Sequence, residues 1–172
     1  MSPRLRGLAA AVLILAAAAT AWWWFANPER RVLRRLDELA ELLGKGAAES
    51  QLAAGATARG VAGHFAPGFF VRADPYEGQL TDPQQLMGAV MRFRGAAERI
   101  DVVFTDRDVQ LGEGADTAVV AFVATVAMER GAGPARESWR VRSLWVADDG
   151  EWRIAELELV ERLEAGGLFP GI

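Results

Sequence analysis

With 172 residues, 51% of them hydrophobic, the chain has room for one domain of ordinary size plus a short appendage, and it can bury a sizeable core. A formal net charge of -4 leaves no basic surplus to neutralise phosphates, which argues against a nucleic-acid partner. The absence of cysteine excludes disulfides, thiolate nucleophiles and zinc-thiolate centres; a single histidine, His64, excludes a multi-histidine metal site within one chain, so neither metal nor cofactor is expected.

Residues 7–26 contain one clearly polar side chain, Thr20, and as a helix rising about 1.5 Å per residue they span roughly 30 Å, the hydrocarbon thickness of a bilayer. Arg4 and Arg6 precede this stretch; Trp22, Trp23, Trp24 and Phe25 end it, where indole rings favour the membrane interface. The expected domain plan is therefore an anchor at 1–28, a folded domain at 29–164 and a tail at 165–172. A cleaved signal peptide competes with the anchor, because Ala19-Thr20-Ala21 is a small-x-small cleavage sequence and would release a secreted product. For the uncleaved form the short N-terminal tail favours an inner-membrane, single-pass protein with its domain outside, although Arg30, Arg31, Arg34 and Arg35 outnumber the two leading arginines.

After Asn27-Pro28, Val32, Leu33, Leu36, Leu39, Ala40 and Leu43 recur at helical spacing, opposite Arg34, Arg35, Asp37, Glu38 and Glu41. Gly44-Lys45-Gly46 ends that helix, and 47–65 reads as a second, weakened by Gly55, Gly60 and Gly63 at about 1 kcal/mol each unless they allow close packing. A short strand at 69–73 leads into the turn-rich 74–78. A third helix opens at Thr81-Asp82-Pro83 in one of two capping registers, Thr81 with Gln84 or Asp82 with Pro83 at the first helical position. Its expected buried stripe is Leu86, Met87, Val90, Met91 and Phe93.

Strands follow at 99–110 and 117–129, the second apolar on both faces and so expected to be covered on both. Residues 136–164 form a ribbon, two alternating runs flanking Asp148-Asp149-Gly150. A three-residue loop pairs Val146 with Trp152, Leu144 with Ile154, Arg142 with Glu156 and Arg140 with Glu158, so that apolar meets apolar and opposite charges meet. A two-residue loop gives up both ion pairs, so the three-residue loop is expected. Leu168, Phe169 and Ile172 make the tail apolar.

Helix, helix, short strand, helix and three long strands, with HFAPGFFVRADPYEG at 64–78 and ESWRVRSLWVADDGEWRI at 137–154, resemble the nuclear transport factor 2-like superfamily. The resemblance implies an α+β cone, a curved antiparallel sheet wrapped around three helices, here following one transmembrane helix. In the ketosteroid isomerase-like branch it makes Asp74 the counterpart of a carboxylate base. It also implies a tyrosine from the first helix, which 29–43 lacks, and an acid near the position of Arg142, so isomerase chemistry is not expected.

Candidate catalytic residues are thus Asp74, His64 and Tyr76, each with a plain structural counterpart: a turn aspartate, a hydrogen-bonded histidine, a surface ring. The resemblance turns the face of Arg142 toward the cone interior, making Arg140, Arg142, Glu156 and Trp152 a candidate site for a small amphipathic ligand, against solvent-exposed ion pairs as the alternative. Trp139 and Trp145 would then face outward, as a homodimer or partner surface. The expected function is a membrane-anchored binding or assembly module. Its rivals are a small-molecule enzyme using Asp74 with His64 or Tyr76, and a carrier of an apolar ligand in a deep cavity.

Overall fold

The computed structural model describes residues 27–46, 48–73, 79–131 and 133–164. Helices α1 (Pro28–Leu43), α2 (Gln51–Ala62) and α3 (Pro83–Gly95) pack on one face of a six-stranded sheet. Its strands are β1 (Phe65–Ala73), β2 (Gln79–Leu80), β3 (Arg99–Leu111), β4 (Thr117–Arg130), β5 (Gly133–Asp148) and β6 (Glu151–Glu164), in the order β2-β1-β6-β5-β4-β3. The expected α+β architecture is present, with one correction: β1 runs parallel to β6, so the sheet is mixed rather than wholly antiparallel. The expected anchor at 7–26 and the tail at 165–172 lie outside the described residues; among those described, no helix is long and apolar enough to cross a membrane.

Each helix starts on a cap that its sequence supplies. Asn27 Oδ1 accepts from Glu29 N at 3.0 Å ahead of Pro28, and Ser50 Oγ accepts from Ala53 N at 3.2 Å. For α3 the choice falls on Asp82, whose Oδ1 accepts from Gln84 N at 2.7 Å and Gln85 N at 3.0 Å. The second helix is shorter than 47–65: it begins after Ser50 and ends before Gly63, and Phe65 already belongs to β1. Of its glycines, Gly60 faces a neighbour; a Cβ there would sit 3.4 Å from both Leu42 methyls, so its absence lets α2 approach α1.

The core joins Val32, Leu36 and Leu39 of α1, Val61 of α2, and Leu86 and Val90 of α3 to Phe104, Val120, Phe122, Trp139, Val141, Trp145, Trp152 and Ile154 of the sheet. Burying each Val, Leu or Ile side chain contributes about 1.5–3 kcal/mol, which outweighs the propensity differences within the helices. The α3 stripe differs from expectation at two positions, because Met91 is exposed whereas Arg94 is buried.

The ribbon departs furthest from expectation. Asp148 pairs with Glu151, so the loop has two residues, Asp149 and Gly150, at φ 48° and 80°. Positive φ at both central positions is a type I′ turn, whose twist matches that of the flanking strands and which Asp-Gly favours. Three register shifts follow along β6, where Ala155, Val160 and Leu163 are left opposite no partner. Each extra residue reverses the alternation beyond it and bends the strand, which curves the sheet around the helices.

Those bulges place Trp152, Ile154, Leu157 and Leu159 on one face of β6, together with Trp139, Val141 and Trp145 of β5. That face meets the helices, and Arg140, Arg142, Leu144 and Val146 lie on the other. Trp139 at 5% exposure and Trp145 at 0% are thus core residues, which corrects their assignment to an outward partner surface. The Trp145 indole N–H donates to Ser143 Oγ at 2.9 Å, satisfying the ring's polar edge inside the core.

Candidate ligand cleft

The residues singled out from the sequence fall into separate regions. His64 occupies the turn between α2 and β1, where its carbonyl accepts from Ile154 N at 2.7 Å and fastens the start of β1 to β6. Its Nδ1–H donates to the Gly60 carbonyl at 3.0 Å, which leaves Nε2 of the neutral ring without a hydrogen bond and 3.7 Å from Glu38 Oε2. Arg35 holds that carboxylate at 2.9 Å and also donates to the Trp152 carbonyl at 3.3 Å. Asp74 and Tyr76, between β1 and β2, lie outside the described residues.

Burial pushes the His64 imidazole below its ordinary value of 6.5; the Gly60 carbonyl opposes this, Arg35 reinforces it, and Glu38 and Glu151 oppose it more weakly. The unfolded chain therefore binds this proton at a higher pH than the folded one. The resulting stabilisation is fully present above 6.5 and is lost as the pH falls through the folded value. Urea unfolding between about pH 7 and pH 5 should show a steeper loss of stability for the wild type than for His64→Gln, and equal slopes would refute this account.

Arg142 and Glu156 line a depression of 320 Å³ with Phe70, Arg72 and Glu158, on the sheet face turned away from the helices. Arg140 instead pairs with Glu161 at 2.6 Å, both groups 55% exposed. Trp152 is in the core at 2% exposure, its indole nitrogen without a hydrogen-bond partner. The expected quartet of Arg140, Arg142, Glu156 and Trp152 is therefore divided between two faces, because the β6 bulge at Ala155 separates Trp152 from the parity of Glu156. Exposed ion pairs of this kind contribute about 0–1 kcal/mol each.

An apolar cleft of 710 Å³ opens at the opposite end of the sheet from the hairpin turn. Leu43 from the end of α1, Val90 and Phe93 of α3, Val71 of β1, Met128 of β4 and Leu159 of β6 line it, with Arg92 and Arg130 as the charged groups among its lining residues. Leu86 and Val90 of α3 belong to the core, and the last turn of α3 has a different task. There Arg94 turns inward to the end of α1, donating to the carbonyls of Leu42 at 2.7 Å, Leu43 at 3.1 Å and Gly44 at 2.7 Å, and pairing with Glu49. Lys45 Nζ completes the junction on the carbonyls of Arg94 and Ala97, at 2.8 and 2.6 Å.

His64 is far from this cleft: between Ile154, beside which β1 begins, and the lining residue Leu159, β6 advances on the order of 15 Å. Among the described residues no group of three His, Asp or Glu side chains could hold a metal ion. Sequence reasoning missed both Arg92 and the buried Glu137, which pairs at 2.8 Å with the exposed Arg162, whose guanidinium lies 4.9 Å from the Trp139 ring. Arg92 was visible as a cation inside an apolar stripe, Met91-Arg92-Phe93; Glu137 carried no comparable signal.

No family model and no curated protein matches the sequence. Among solved structures, the chain is similar to a protein from Catenulispora acidiphila (TM-score 0.63, 18% identity, covering 81% of this chain and 94% of that one). It is also similar to a candidate calcium/calmodulin-dependent protein kinase II association domain from Xanthomonas campestris (TM-score 0.60, 20% identity, 76% and 86%). A third likeness is to a candidate scytalone dehydratase from Novosphingobium aromaticivorans (TM-score 0.61, 12% identity, 83% and 93%). At these identities the likeness shows the fold alone, a curved sheet packed on helices.

Proposed function

We propose that the chain is a binding module that holds a small amphipathic anion in the cleft between α3 and the sheet, tethered to the inner membrane through residues 7–26 with its domain on the outer side. The observation that carries this reading is the cleft's chemistry: eight apolar side chains, Ala89 of α3 and Ala96 at its C-cap among them, with Arg92 and Arg130 as its charges. An apolar wall removes a hydrocarbon tail from water at about 25 cal/mol per Å², and a guanidinium gives a carboxylate or phosphate head a charge-assisted hydrogen bond. The tether rests on the length and composition of 7–26 and on the tryptophans that end it.

An association domain and a candidate dehydratase both stand among the structural neighbours, so the fold accommodates binding and catalysis alike. Binding is favoured because His64, the one described member of the expected acid-base set, is held at the other end of β6 by Gly60 and Ile154. A catalytic reading would need Asp74 or Tyr76 to act without it, from the connection that begins three residues after Val71.

The test is displacement of a fluorescent fatty acid by decanoate on the detergent-solubilised full chain. Wild type should bind; Ala89→Trp, which fills the cleft from α3, should abolish binding with far-UV circular dichroism unchanged. Arg92→Gln should weaken binding by about tenfold, the worth of one charge-assisted contact. Unaltered binding in a folded Ala89→Trp variant would exclude the cleft, and turnover of an added ester or enol that Asp74→Asn abolishes would move the protein to the enzymes.

A further inference from the structure

A second cavity lies at the hairpin end, between the first three turns of α1 and the β5–β6 turn. It has a volume of 190 Å³ and is lined by Arg31, Arg34, Arg35, Glu38, Gly150, Glu151 and Trp152. We propose that this notch seats the phosphate of an anionic phospholipid, in the leaflet from which the chain emerges.

The charge balance of the notch favours an anion. Glu38 is taken up by Arg35 at 2.9 Å, and Glu151 by Arg153 at 3.4 Å. Arg31 donates to the Gly150 carbonyl, a neutral partner, so its positive charge is not cancelled by a carboxylate. The same bond holds the guanidinium between helix and turn and lowers the entropy cost of ordering it on a ligand. Arg34 is exposed one turn further along the helix, and the amide dipoles of α1 place partial positive charge at this same end.

Chain order supplies the lipid as the source of the phosphate. The apolar stretch 7–26 stops at Asn27, the cap of α1, and its sequence ends in Trp22, Trp23 and Trp24, a residue type enriched at membrane interfaces. Counting about 1.5 Å per residue from that cap, Arg31 stands roughly 6 Å along α1, within the roughly 5–8 Å of one headgroup layer, and Arg35 roughly 12 Å, just beyond it. Basic side chains at such a level attract anionic lipid. This inference rests on the membrane tether proposed above, and it concerns a site separate from the apolar cleft.

Native mass spectrometry of the full chain, released from detergent with equimolar dioleoyl phosphatidylglycerol and dioleoyl phosphatidylcholine, tests the notch. Wild type should retain the anionic lipid over the zwitterionic one by about tenfold. The double variant Arg31→Gln/Arg34→Gln should lose that preference, while Arg136→Gln on the far strand should keep it. Equal retention of the two lipids, or an unchanged preference in the double variant, overturns the proposal. A soluble arm adds dihexanoyl phosphatidylglycerol or inorganic phosphate: displacement by the short lipid alone supports a headgroup site, and equal displacement by millimolar phosphate overturns the lipid assignment. Carbonate extraction of membranes judges the tether by itself, so a chain that washes off would refute the anchor while the soluble arm still decides the notch.

Discussion

Replacing Arg94 with methionine is expected to lower the unfolding free energy by about 3–5 kcal/mol, the scale for breaking a buried ion pair from one side. The Arg94 and Glu49 side chains are only 5% and 11% exposed, so the substitution leaves a carboxylate with little water to replace its partner. It also takes a donor from three carbonyls at the end of α1, where helical geometry provides none and the amide dipoles concentrate negative charge. Urea unfolding followed by far-UV circular dichroism measures the loss. In Arg94→Met/Glu49→Met the orphaned charge is gone, and much of the stability should return; the carbonyls alone would then account for the remainder. A single variant within about 1 kcal/mol of wild type would mean that the junction is solvated and that the cleft beside it is not fixed by this contact.

Trp145→Ala should cost about 3–5 kcal/mol, as for other large aromatic deletions in a core, and should do so at any protein concentration. The ring is fully buried beneath the helices, and its N–H is the donor to Ser143, whose own hydroxyl donates to the Val120 carbonyl at 3.2 Å. Trp145→Phe keeps most of the apolar contact and loses the hydrogen bond, for a smaller cost of roughly 1–2 kcal/mol. Sedimentation alongside the unfolding measurement separates a core role from a partner-surface role. A stable, monomeric Trp145→Ala variant derived from an oligomeric wild type would return the ring to an interface and contradict its burial.

The two errors in the ribbon have one origin. Matching Arg142 with Glu156 and Leu144 with Ile154 treats each strand as strictly alternating, and that register sets opposite charges against each other. The actual register answers to the turn first. Asp149-Gly150 adopts the two-residue geometry that needs positive φ twice, and the charges then meet elsewhere, Arg140 with Glu161 and Arg72 with Glu158. The surface pairs are worth too little to move a strand against the burial of Trp145, Trp152 and Ile154.

The candidate site was legible only in its parts. Met128, Val90 and Phe93 were readable as apolar members of their elements, and Arg92 as a cation among them. Their convergence was not, because Val71 and Leu159 reach the cleft through the parallel pairing of β1 with β6, a contact between residues 86 or more positions apart for which no local pattern exists. His64 was recognised as a titratable group, whereas its hold on Gly60 and its distance from the cleft required the turn after α2 to be seen in place.

By itself the sequence determined the three helices and the four long strands with their approximate limits, since each follows from side chains within a few residues of one another, whereas the α+β cone was implied by the resemblance of their order to a known superfamily. Tertiary structure alone decided which face of the ribbon meets the helices, that Trp139 and Trp145 are core, and that Arg94 rather than Met91 turns inward. A bulge reverses alternation without altering composition, and a buried arginine is tolerated only where distant carbonyls and a carboxylate are brought to it.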